Sequence, residues 1–174
     1  SNGTKTFASS NTSSATINSS NGSVSIVAVG NTTMSINLAE TNEYTSANDN
    51  YTLTINPKTL TATASASVKV YDGTTTATTT LTFSGLIGSE TLGQTVGSSF
   101  SDKNVGSGKT VTVNSITLAN GTNGGLASNY TISLGQTTNA NITAKALTVS
   151  GITASDKTYD ATTAATLGTG TINY

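Results

Sequence analysis

The strongest constraint on this chain is a two-residue alternation of apolar and polar side chains that runs through most of its length. Val24, Ile26 and Ala28 share one phase, as do Met34, Ile36 and Leu38. Tyr51, Leu53 and Ile55 alternate with Thr52 and Thr54, and Leu60, Ala62, Ala64 and Ala66 alternate with Thr and Ser. Tyr130, Ile132 and Leu134, then Ala140 with Ile142, continue the pattern. A period of two puts alternate side chains on one face of a strand, and no window carries the 3.6-residue period of an amphipathic helix. The expected fold is therefore all-β: small antiparallel modules, either Ig-like sandwiches or β-grasp-like units, joined by Gly, Asn and Ser turns. Two local expectations follow. Gly30-Asn31 reads as a hairpin turn between the Val24 and Met34 runs. Val111 and Val113 are out of phase with Ile116 and Leu118, which calls for a bulge at Asn114-Ser115.

A second periodicity sets the organisation. Ile55-Asn56-Pro57-Lys58-Thr59-Leu60-Thr61 returns as Ile142-Thr143-Ala144-Lys145-Ala146-Leu147-Thr148, 87 positions on. Lys69-Val70-Tyr71-Asp72-Gly73-Thr74-Thr75 returns as Lys157-Thr158-Tyr159-Asp160-Ala161-Thr162-Thr163, 88 positions on. Asn50-Tyr51-Thr52 returns as Asn129-Tyr130-Thr131. Residues 59–145 read as one complete module, residues 146–174 as the first part of a second, and residues 1–58 as the end of a different one. The two end pieces together equal one repeat length. The expectation is a window cut out of phase from a longer, rod-like array, or a chain whose tail completes the head of a second copy by strand addition.

KVYDGTT, Gly85-Leu86 with Glu90, FSDKNVGSGKTVTV, ASNYTI and the ITAKALT joint stand together in residues 59–145. Through them this stretch resembles a YDG-type repeat of bacterial filamentous-haemagglutinin-like surface adhesins. Residues 1–58 resemble a bacterial Ig-like repeat lacking its first strands, through SSNTSSATI, NGSVSIVAVGNTTMSINLAE and NDNYTLTINPK. The resemblance implies a secreted, non-catalytic stalk or adhesive segment at the bacterial cell surface. It brings no catalytic residues and no cofactor.

Composition agrees by exclusion. Thr, Ser and Asn supply 80 of the 174 residues, while charged residues are 9% and the net charge is −1. Seven scattered Lys make no patch for displacing counterions from a nucleic acid, so none is expected as a partner. No stretch has the length of an apolar membrane span, so membrane insertion is not expected, and no signal peptide opens the chain, as for a mature fragment. The chain has no Cys and no His, hence no disulfide, no Ser-His or Cys-His pair and no transition-metal set. An enzyme is not expected. The remaining candidates are weak. Gly106-Ser107-Gly108-Lys109-Thr110 imitates a phosphate loop but has Lys103 where the motif's first Gly belongs, and a strand pattern follows it. Glu40 with Glu43, and Asp156 with Asp160, are the densest acidic pairs and too sparse for calcium, so no metal is expected.

The structural motif is Tyr71, Asp72 and Gly73 with Tyr159 and Asp160. The Tyr rings are expected in the core and each Asp is expected to cap its turn. Ala161 in the position of Gly73 implies a turn with no required positive φ there. The partners expected are neighbouring repeats or copies of the chain itself, with host or matrix glycans as the alternative. Such a glycan site would use Tyr44 and Tyr130, with Tyr71 and Tyr159 as further candidate rings.

Overall fold

The computed structural model describes residues 3–173, and it is all-β. Five strands come from the N-terminal third: β1 (Lys5–Ser9), β2 (Ala15–Ile17), β3 (Val24–Ile26), β4 (Gly30–Leu38) and β5 (Ala47–Ile55). They form a three-stranded sheet in the order β1-β4-β5 and a separate β2-β3 hairpin. The middle of the chain supplies β6 (Lys58–Ala66), β7 (Lys69–Val70), β8 (Thr76–Ala77), β9 (Thr79–Ser84), β10 (Leu92–Phe100), β11 (Gly106–Asn120), β12 (Tyr130–Ile132) and β13 (Thr137–Thr143). These build a five-stranded sheet, β7-β13-β11-β10-β8, and a three-stranded sheet, β12-β6-β9. The last stretch holds two short ladders, β14 (Thr148–Ser150) with β17 (Thr171–Asn173) and β15 (Thr153–Ala154) with β16 (Leu167–Gly168). Among the described residues the only helical element is one 3-10 turn, Ala127–Asn129.

The alternation is visible in the burial. In β6, Leu60 is buried and Ala62, Ala64 and Ala66 are half-buried, while the intervening Thr and Ser are exposed. In β11, Val111 and Val113 are buried, Asn114 and Ser115 are both exposed, and Ile116 and Leu118 are half-buried in the opposite phase. The phase changes at the expected step. The irregularity in pairing, however, is between Gly106 and Lys109, where β11 meets β13.

Two local features differ from the sequence reading. Gly30-Asn31 is not a hairpin turn: β3 pairs with β2, and β4 pairs with β1 and β5. The N–H groups of Val27 and Ala28 donate to the Ser14 carbonyl, at 2.9 and 3.1 Å, and draw the chain away from a hairpin. Gly30 is present for close approach, since a Cβ there would stand 2.4 Å from Ser14 Oγ. The sheets are also mixed rather than purely antiparallel. β12 lies parallel to β6, and β13 parallel to β7. Burial patterning records which face a residue takes, and a parallel neighbour demands the same face pattern as an antiparallel one.

The chain forms two compact units. The first takes in the described residues up to Thr63 with Leu81–Val96 and Ser115–Gln136. Its buried side chains include Ala15, Met34, Leu60, Leu81 and Tyr130. Thr32 is also buried there, with its hydroxyl bonded to Ser9 Oγ at 2.8 Å and to the Asn11 N–H at 3.0 Å. The second unit takes in Ala64–Thr80, Gly97–Asn114 and the described residues from Thr137 onward. Its core is Ala77, Phe100, Val111, Ala140 and Ile142, with Ala66 packed against it. Strands β6, β9, β10 and β11 each run from one unit into the other, so the units cut across residues 59–145.

Candidate functional site

The repeated Tyr-Asp motif forms the connection between β7 and β8. Asp72 folds the chain back by accepting the Thr74 N–H at 2.8 Å and the Thr74 hydroxyl at 2.9 Å on the same oxygen, Oδ1. Lys69 closes the loop from behind. Its Nζ donates to Thr74 O at 3.1 Å, Thr74 Oγ1 at 2.7 Å and Thr76 O at 2.7 Å, and it lies 2.9 Å from Asp72 Oδ1. Lys69 and the Thr74 N–H together pull the Asp72 carboxyl down to about 2. The turn is also tied to β13, through Tyr71 N–H to Thr143 O at 2.8 Å and Thr143 Oγ1 to Lys69 O at 3.3 Å.

The same clamp is built a second time. Asp160 Oδ1 accepts the Thr162 N–H at 3.0 Å and the Thr162 hydroxyl at 2.8 Å. Lys157 Nζ donates to Thr162 Oγ1, to Thr162 O at 3.4 Å and to Ala164 O at 2.8 Å, and it stands 2.7 Å from Asp160. The Lys157 hydrogen bond, then those from Thr162, lower the Asp160 carboxyl too. A third lysine works alike in β11. Lys109 bonds Asp102, whose Oδ1 also accepts the Asn104 N–H at 2.8 Å, and the Asp102 carboxyl is lowered with Lys109 as the main cause.

A separate tie joins two other motif segments. Tyr130 Oη donates to Glu90 Oε2 and accepts the Ile87 N–H at 3.2 Å. The Glu90 hydrogen bond, and burial after it, raise the phenol. Beside it, Asn129 Oδ1 accepts the Val29 N–H at 2.9 Å.

The structure places the sequence candidates as follows. Asp72 and Asp160 cap their turns as expected. Tyr71 and Tyr159 are not core residues: Tyr71 is 37% exposed and Tyr159 is 90% exposed. Tyr71 instead lines a surface hollow with Asp72, Gly73, Val105, Ala144, Lys145 and Leu147. The turn's own hydrogen bonds are backbone and Lys-Asp-Thr contacts, so it stands without a buried ring. Gly73 has φ +80°, and Ala161 takes the same left-handed region at φ 61°, contrary to the sequence expectation. The Lys157-Asp160-Thr162 bonds impose that turn even where a Cβ makes it strained. Tyr130 is only 6% exposed and its hydroxyl is occupied, so it offers no face to a sugar. Tyr44 is exposed at 69%. The lysine clamp was missed in the sequence, although its signal is present as Lys-x-x-Asp-x-Thr in both copies.

The phosphate-loop look-alike belongs to β11, with the Gly108 N–H donating to Asn141 Oδ1 at 2.8 Å and strand following. Among the described residues no three His, Cys, Asp or Glu side chains gather where a metal ion could be held. Among them, too, no helix is long and apolar enough to cross a membrane.

The same clamped turn is thus built twice, with Asp72 and Asp160 standing 88 positions apart. Residues 56–140 match the YDG domain family, and this supports a YDG-type repeat over that stretch. No curated protein matches the chain. Among solved structures, surface layer protein SbsC, domains 1-6, is similar at 14% identity and a TM-score of 0.30, over 98% of this chain and 29% of that one. Domains 4-9 of SbsC give 16% identity and a TM-score of 0.26, over 88% of this chain and 24% of that one. The chain thus spans under a third of either structure, and likeness at that level does not reach a shared fold.

Proposed function

We propose that this chain is a non-catalytic structural segment of a secreted bacterial surface adhesin or extracellular fibre, acting in attachment or biofilm cohesion. The observation that carries this reading is the Lys-Asp-Thr clamp built twice, at 69–74 and 157–162, within and beyond the YDG match. Asp72, Asp102 and Asp160, with Lys69, Lys109 and Lys157, are engaged in holding turns. On this reading residues 1–58 are part of an Ig-like module, residues 59–145 a whole YDG-type module and residues 146–174 the start of the next. Each module passes its last strand directly into its neighbour, which limits bending at the joint, and the described residues up to Thr63 share a compact unit with Leu81–Val96 and Ser115–Gln136, so folding is coupled across the joint. Its partners are then neighbouring modules and other copies of the chain, and its place is outside the cell.

The test is antibody labelling of intact cells that make the parent protein, using serum raised against this chain. Labelling without permeabilisation, lost after brief surface proteolysis, is the expected result. Labelling only after permeabilisation refutes the reading. A second reading, a glycan-binding module, is favoured by the half-exposed Tyr71 beside Asp72 and Lys145 in one hollow. It requires glycan-array binding by the chain that Tyr71→Ala removes.

A further inference from the structure

An asparagine followed by glycine can modify itself, because the glycine nitrogen is a nucleophile that no Cβ shields. Three such steps lie among the described residues: Asn21-Gly22, Asn120-Gly121 and Asn123-Gly124. Their asparagine side chains are restrained alike. Asn21 Oδ1 accepts the Ser23 N–H at 3.0 Å, Asn120 Oδ1 accepts the Ala127 N–H at 2.9 Å, and Asn123 Nδ2 donates to Ser89 O at 2.9 Å.

The glycines differ. The Gly22 N–H donates to Asn18 O at 2.9 Å, and the Gly121 N–H donates to Gly125 O at 2.9 Å. Both also stand against neighbours: a Cβ on Gly22 would lie 2.9 Å from the Phe7 ring, and one on Gly121 would lie 2.0 Å from Thr91 O. Gly124 has neither restraint. Among the described residues its N–H donates to nothing, and a Cβ there would meet no heavy atom within 4 Å. The step is exposed in the loop between β11 and β12, in a turn closed by the Gly125 N–H on Thr122 O at 3.1 Å. Asn123 has φ 56° and Gly124 φ 86°, so both central residues of that turn have positive φ.

We propose that Asn123 is a self-modifying site, where the Gly124 nitrogen displaces the Asn123 side-chain amide and water then converts the residue to aspartate or isoaspartate. Hydroxide takes the Gly124 N–H proton, the nitrogen bonds to Asn123 Cγ, and the Cγ–Nδ2 bond breaks. Ammonia leaves with a proton drawn from water. A second water opens the five-membered imide at either carbonyl. The net change is one water in and one ammonia out, with nothing oxidised or reduced.

The product changes the loop. A carboxylate at 123 has no proton to give Ser89 O, so two acceptors face each other and the tie between the β9–β10 and β11–β12 loops is lost. The isoaspartate form also lengthens the backbone inside the turn that Gly125 closes. Thr91 still holds the two loops together, through its N–H to Thr122 O at 3.2 Å and its hydroxyl to Thr122 Oγ1 at 2.8 Å. The module therefore stays folded while one loop end loosens. This site does not depend on the stalk role, and either proposal stands or fails alone.

The test incubates the whole chain in mildly alkaline heavy-oxygen water and maps the label by peptide mass spectrometry. A hydrogen bond and nearby atoms hold each of the other two glycines, so Asn123 should take up label roughly tenfold faster than Asn21 or Asn120. In urea that unfolds the chain, the three rates should converge. Asn123→Gln, whose longer side chain closes the ring far more slowly, should take up no label at 123. Asn123→Asp should speed amide exchange at Gly125. Equal labelling of the three asparagines in the folded chain overturns the proposal. A preference for Asn123 that survives in urea also overturns it, because the selectivity would then come from local sequence and not from the fold. Gly125 exchange left unchanged by Asn123→Asp overturns the stated effect on the loop.

Discussion

The left-handed turn residue gives a prediction whose size follows from the structure. Gly73 has φ +80°, and a Cβ built on it meets no heavy atom within 4 Å. Gly73→Ala therefore carries no steric penalty from neighbours, only the backbone cost of an L-residue in the left-handed region, about 1–2 kcal/mol. Alanine's stiffer unfolded chain offsets roughly 0.4–1 kcal/mol of that. The net expectation is destabilisation of about 1 kcal/mol. In a cooperative unit of fewer than a hundred residues, that lowers Tm by about 4–8 °C. The assay is urea unfolding followed by far-ultraviolet circular dichroism, where the midpoint should fall with the slope unchanged. Ala161→Gly is the reciprocal change, because Ala161 already sits at φ 61°. It should slow amide exchange at Thr162, whose N–H is held by Asp160. A neutral or stabilising Gly73→Ala would refute the clamp as the element that fixes this turn. A loss above about 3 kcal/mol would refute the open space around it.

Three further predictions test the packing and the ion pairs. The Asp72 carboxyl is pulled down to about 2. A depressed carboxylate contributes stability above its unfolded value near 3.8, and that contribution goes as pH falls toward 2. Carbon-detected titration of Asp72 should show the low midpoint, with Thr74 amide protection lost over the same window; an ordinary midpoint contradicts the clamp. Tyr130→Phe removes the bonds to Glu90 and Ile87 and should cost about 1–3 kcal/mol by denaturant unfolding. Because the Tyr130 phenol is raised, its contribution holds below pH 10 and disappears as pH rises through the folded value, so the variant should be less sensitive to alkali. Ile142→Ala opens a cavity beside Phe100 and Val111 and should cost about 2–5 kcal/mol; a loss under about 1 kcal/mol would mean that this core is not closely packed.

Much of the architecture was legible because alternation reports faces directly. Leu60, Val111, Ala140 and Ile142 are buried where the pattern put them. The repeat spacing likewise pointed to Asp72 and Asp160 before any geometry. Partner choice was hidden. β3 turns to β2 because the Ser14 carbonyl captures the Val27 and Ala28 N–H groups just past the short β2-β3 hairpin, a contact that alternation does not record. The same holds for the parallel placing of β12 beside β6, which depends on residues 72 positions apart. Tyr71 misled because an aromatic ring next to a turn usually packs inward, whereas here Lys69 does the fastening and leaves the ring half outside. Tyr51 and Tyr130 share the motif Asn-Tyr-Thr, yet one is exposed and the other buried. Identical local sequence cannot decide burial when Glu90 and Ile87 face only one of the two rings.

A stalk transmits force, so the most direct test of the structural reading is mechanical. Single-molecule pulling of this chain between reporter domains should give a discrete unfolding event for the strands from Lys58 to Thr143. The extension gained should approach about 3.6 Å for each residue released, less the folded span. Asp72→Ala, by removing the clamp at β7, should lower the force of that event without shortening it. Smooth extension with no event, or an unfolding force unchanged by Asp72→Ala, would contradict the account.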